Sequence, residues 1–152
     1  MLNGRKNSIK QEPATMPSDR GHRSNWDERQ FAWMKKRERF LPRAYQQFGI
    51  EVRSAHDALV SGKSDERIWY HLERAHIVSQ VSASRHLGIH FVMFFFAIMK
   101  CDFKEIIGQI PRMILAVPSS FFGKAPSGNT GRSKMSMFAS KPVPRDLEGI
   151  LK

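Results

Sequence analysis

The sequence predicts an all-α protein: a small antiparallel helical bundle of about four helices, with a disordered basic N-terminal leader and a turn-rich C-terminal arm. Three observations predict it. From Ala44 onward, apolar residues recur every three or four positions, as on one face of an α-helix. Ser and Asp residues stand at cap positions before these stretches, and no useful length of chain alternates with the period of a strand. The 152 residues, 41% of them hydrophobic, suit one domain with a real core.

Residues 1–24 are polar, carry Pro13, Pro17 and Gly21, and show no period, so they read as a disordered leader. Ser24 or Asn25 caps a helix with Asp27 and Glu28 in its first turn, where acids favour the positive end of the helix dipole. Trp26, Trp33 and Phe40 form an aromatic stripe on it, among Lys35, Lys36, Arg37 and Arg39. Pro42 suits the first turn of a new helix, whose stripe is Ala44, Phe48, Val52, Ala55 and Leu59 and whose stop is Gly62. Ser64, Asp65 and Glu66 begin the next helix, from about Asp65 to Ser82, antiparallel to its predecessor across a short link.

The following helix, from about Ser84 to Cys101, is apolar nearly all round and is expected at the buried centre of the bundle or partly in a homodimer interface. Asp102 with Glu105 resembles a capping box and starts a last bundle helix that Pro111 kinks and Pro118 ends near Val117. The bundle therefore spans 25–117. Residues 118–152 are rich in Ser, Gly, Pro and Asn and are expected to pack on it as an arm, with a final short turn from Asp146.

Composition excludes several classes. A single Cys rules out an intrachain disulfide scaffold and a Cys-rich zinc module. The longest charge-free apolar run, Leu87 to Met99, is short of the ~18 residues of a transmembrane helix. No Sec-type signal is visible, and a cytoplasmic location is expected. The net charge of +11 divides into +6 over residues 1–45, +1 over 46–117 and +4 over 118–152. Two basic arms suit solubility or a weak, non-specific anionic partner such as nucleic acid or a membrane surface.

Four of the six His residues fall between His71 and His90. At ~100° per residue, Glu73, His76 and Gln80 share a face with Trp69 and Glu66, whereas His71 points to the opposite side. His86 and His90 lie one turn apart on the next helix, with Met93 and Ala97 continuing their stripe. The short link then lets Glu73, His76, His86 and His90 point at a common centre. Three imidazoles and a carboxylate on rigid helices suit a divalent transition metal, zinc or iron first, with manganese and nickel also compatible. Met93 and Cys101 would soften such a site toward copper, and Gln80, Glu105 and Gln109 would orient the ligands. The alternatives are a buried polar network of the same groups with Tyr70, or acid–base chemistry without metal. A zincin-type protease is excluded, because Leu87 follows His86 where the catalytic Glu would stand. Cys101 beside Lys100 and Lys104, and Gly128-Asn129-Thr130-Gly131 as an anion nest, are weaker candidates.

The blocks His71-Leu72-Glu73-Arg74-Ala75-His76, His86 with His90, Asp102 with Glu105, Gly108-Gln109 with Arg112, Pro126 to Gly131, and Pro142 to Leu147 resemble a known family. It is a bacterial family of short helical proteins designated domain of unknown function three-seven-zero-three. The resemblance covers about residues 42–150 and leaves the leader outside. It singles out the same His and Glu residues and implies no reaction.

Overall fold

The computed structural model describes the backbone of residues 25–121 and 125–151, and the side chains of residues 41–120 and 125–151. Five helices and no strand occur among the described residues: α1 (Asn25–Val60), α2 (Asp65–Ser79), α3 (Ala83–Met99), α4 (Phe103–Phe121) and α5 (Arg145–Leu151). The protein is an all-α bundle. The expected leader lies outside the described residues, as do the side chains of the aromatic stripe at Trp26, Trp33 and Phe40.

Two helical hairpins make the bundle. α1 pairs with α2 and α3 with α4, while α2 and α3 join them. The first turn works as its chemistry dictates: Gly62 takes φ 62°, and Ser64 caps α2 by accepting from the Arg67 amide at 3.4 Å. The core fills between the hairpins. Ala55 and Ala58 of α1 meet Ile68, Trp69, Leu72 and Ala75 of α2 and Ile89, Met93, Phe96 and Ala97 of α3. Trp69 and Phe96 pack edge to face, with ring centroids 5.0 Å apart.

The Pro residues depart from expectation. α1 runs unbroken through Pro42, so no new helix starts there. α4 contains both Pro111 and Pro118 and continues to Phe121. Each Pro removes one hydrogen bond to the carbonyl four residues back. For α4 those carbonyls belong to Ile107 and Ile114, residues whose side chains are exposed. The Phe-rich α3 also departs from expectation, because it is not buried all round. His86, Ile89, His90, Met93, Phe96 and Ala97 face inward, while Phe91, Val92, Phe95, Ile98 and Met99 are open. Among the described residues α2 and α4 are the substantial helical neighbours of α3, which leaves these side chains on its open flank.

The C-terminal segment closes one end. Leu147 of α5 is fully buried against Ile77 and Val78. Arg74 of α2 donates to Glu51 of α1 at 2.6 Å and to Asp146 of α5 at 2.5 Å, tying three helices through one guanidinium. Between α4 and α5, Arg112 donates to the carbonyls of Gly108, Arg132 and Met135. Glu105 accepts from Arg132 and from the amide and hydroxyl of Ser133. These bonds press residues 129–135 onto α4 and over the ends of α2 and α3 where the His residues gather.

Candidate metal centre

His76 of α2 and His86 and His90 of α3 converge in the interior. Their side chains are 2–5% exposed, and one ligand nitrogen from each lies within 4.8 Å of the others. His76 Nε2 is 2.9 Å from His86 Nε2 and 3.2 Å from His90 Nε2. Three buried His residues so placed could hold a metal ion.

The opposite ring nitrogens decide which protons these Nε2 atoms carry. His76 Nδ1 lies 2.8 Å from the Asn129 carbonyl, which only accepts, so Nδ1 donates and Nε2 is bare. His90 Nδ1 lies 2.7 Å from Gln109 Oε1. The orientation of that amide is set in turn, because Gln109 Nε2 donates to Glu105 Oε1 at 2.7 Å and to the Gly131 carbonyl at 3.0 Å. Its oxygen must therefore face His90, and His90 Nε2 is bare as well. His86 Nδ1 lies 2.7 Å from Ser120 Oγ, a hydroxyl that can accept a hydrogen bond from it.

Adding a proton to relieve the clash of lone pairs is unfavourable. Burial pushes His86 down to about 3, with facing His90 adding to the effect. Burial likewise pushes His90 down to about 4; the Gln109 bond opposes this and the Arg112 charge adds to it. His76 falls well below the usual histidine range through burial, then through His90 and His86. The three rings are neutral at pH 7, and His76 and His90 bring bare nitrogens face to face. A tetrahedral ion with bonds of about 2.0–2.1 Å needs ligand nitrogens roughly 3.3 Å apart, close to the two spacings measured from His76, while the whole set lies within 4.8 Å.

A cavity of about 410 Å³ adjoins the cluster. Gln80, Leu115, Pro126, Met137 and Phe138 contribute to its walls, with Arg112 beside the His residues. Burial holds the Arg112 guanidinium below its ordinary value. Its Nε is buried and has no hydrogen-bond partner among the described residues.

The other sequence candidates lie as follows. Glu73 is not part of the converging group. The ~60° between it and His76 around α2 turns its carboxylate to Arg132, 3.5 Å away. Burial raises the Glu73 carboxyl, against the pull of Arg132. Gln80 donates to the Pro126 carbonyl at 3.0 Å and lines the cavity. Gln109 and Glu105 form the chain behind His90. Burial acts to raise Glu105, but bonds from Ser133, Gln109 and Arg132 outweigh it and keep the carboxyl ionised. His71 bonds Glu51 at 2.8 Å, on the far side of α2. Met93 sits in the apolar core, and Cys101 is exposed in the α3–α4 turn; neither joins the cluster. Sequence reasoning missed Ser120, and it read Asn129 and Gly131 as an anion nest. Their loop instead backs His76: Gly131 has φ 78°, and a Cβ there would stand 2.7 Å from the ring. The Gly-Asn-Thr-Gly block was the available signal.

The fold and site thus define an all-α protein built around a buried three-histidine cluster. Residues 42–151 match the family described as Protein of unknown function (DUF3703), and the chain belongs to it. No curated protein and no solved structure matches the chain.

Proposed function

We propose that this is a metal-binding protein in which His76, His86 and His90 hold one divalent transition ion through Nε2. The observation that carries this reading is the pair of bare, buried Nε2 atoms of His76 and His90, 3.2 Å apart, whose Nδ1 protons are already committed to Asn129 and Gln109. A cation between them turns a repulsion into ligation. Three neutral imidazoles without a thiolate suit zinc; ferrous oxygenase sites favour two His and a carboxylate. Three protein ligands with a neighbouring cavity match the catalytic rather than the closed structural pattern of zinc. An ion held there would supply Lewis acidity to a molecule in the cavity. Glu105 and Gln109 orient His90, Asn129 orients His76, and Ser120 orients His86, as outer partners do in His-rich metal sites.

Elemental analysis of untagged protein tests the reading. One zinc ion per chain is expected, and cobalt substitution should give the visible spectrum of a four-coordinate nitrogen site. His76→Ala, His86→Ala and His90→Ala should each weaken binding by at least ~100-fold, because two imidazoles rarely hold an ion well. His71→Ala should leave it unchanged. Metal-free protein that binds neither zinc nor cobalt would leave the cluster a structural polar network.

A further inference from the structure

The α3–α4 hairpin turns an apolar face outward. From α3 it presents Phe91, Val92, Phe95, Ile98 and Met99, and from α4 Phe103, Ile107, Ile110, Ile114 and Val117, each at least 41% exposed. The α4 residues fall at spacings of three and four, so they form one stripe along that helix. Taking about 150–200 Å² for each of these Phe and large aliphatic side chains, the lower part of the aromatic range, the open fractions together amount to on the order of 1,000 Å² of apolar surface. The largest such patch on a typical monomer is about 300–600 Å². A standard stable interface uses about 800 Å² on each partner.

We propose that a second copy of this chain covers this face. The area matches what one side of a stable dimer needs. Charge agrees as well: no charged residue lies between Arg85 and Lys100, and Glu105 and Arg112 of α4 are buried. Lys104, the exposed charge of α4, lies ~100° round the helix from Phe103 and so off the stripe, and two copies of net charge +11 can approach through the stripe itself without a charged side chain in it. An isologous contact would set two hairpins together as a four-helix bundle, in which each copy supplies the same surface. An anionic membrane is the weaker occupant, because an interfacial helix pair needs a cationic border. Here Lys100 is already paired with Asp65 at 2.7 Å, which leaves Lys104 as the exposed cation of the hairpin beyond it. Leu115, on the same helix, lines the His-side cavity.

Light scattering of the full chain during size exclusion, over a hundredfold range of concentration, tests the proposal. Wild type should run at twice its 17.5 kDa mass. Phe95→Glu on α3 and Ile107→Lys on α4 should each raise the dissociation constant by at least a hundredfold and give monomers of unchanged helix content. Ile114→Lys replaces either variant if its helicity falls. A wild-type monomer throughout, or a dimer that survives both substitutions, overturns the proposal. So does a monomer that floats with phosphatidylglycerol vesicles and loses this on Ile107→Lys, which would assign the face to a membrane. The readout needs no metal, so it stands apart from the reading of the His cluster.

Discussion

Replacing Gln109 by Met keeps the length of the side chain and removes every polar contact it makes. Three hydrogen bonds disappear: the one accepted from His90 at 2.7 Å, and those donated to Glu105 at 2.7 Å and to Gly131 at 3.0 Å. Glu105 keeps Arg132 and Ser133, so its carboxylate stays satisfied. The Gly131 carbonyl and His90 Nδ1 lose the partners described here. At about 1–3 kcal/mol for each buried polar group left unsatisfied, the variant should lose about 2–6 kcal/mol of stability. Zinc affinity should fall by about 10–100-fold, because His90 is then free to turn its ring or place its proton on Nε2. Denaturant unfolding of the metal-free protein measures the first quantity, and competition with a chromophoric chelator measures the second. His71→Ala is the control, since it breaks the bond to Glu51 without touching the cluster. A zinc affinity within threefold of wild type, alongside the expected loss of stability, would refute the reasoning that Gln109 sets the proton on His90.

Chelated protein should lose stability steeply as pH falls below about 6.5. The unfolded His residues protonate there, while the folded ones, lowered to about 3 and about 4 at His86 and His90, do not. The unfolded state then binds more protons, so stability rises with pH in that window; denaturant midpoints measured from pH 4 to 8 check the sign, and a flat profile would contradict the burial of neutral rings. Gly131→Ala should cost about 1–3 kcal/mol from the left-handed backbone alone and also weaken zinc binding, because the new Cβ meets the His76 ring. Met93→Ala, at a site with no exposure, should cost about 2–5 kcal/mol. Phe95→Ala, at 60% exposure, should cost the isolated monomer under ~1 kcal/mol, which thermal unfolding at high dilution can compare.

By itself the sequence determined the helical class, the hairpin turns and the composition of the site. Those features are local. Gly62 and Ser64 act within a few residues of the turn they make, and the 3.6-residue period carries His86 and His90 onto one face wherever the helix packs. The same period separated His71 from His76 around α2. Gln109 and Glu105 were legible as neighbours of the cluster because a helix one short turn away had to pass it.

What the period did not decide was rotation and partner choice. Whether Glu73 or His76 faces α3 depends on ~60° about the axis of α2, and the tertiary contact with Arg132 settled it for Glu73. The protons on His76 and His90 depend on Asn129, Gln109 and Gly131, and two of these come from a loop more than 35 residues along the chain from either ring. The Pro residues misled for the same reason: a Pro removes one helical bond locally, and whether the helix continues past it depends on the packing of the turns on either side. The apolar run of α3 was visible as composition. Only packing decided that half of it turns inward to the core and half outward, because nothing in a hydrophobic side chain specifies which neighbour buries it.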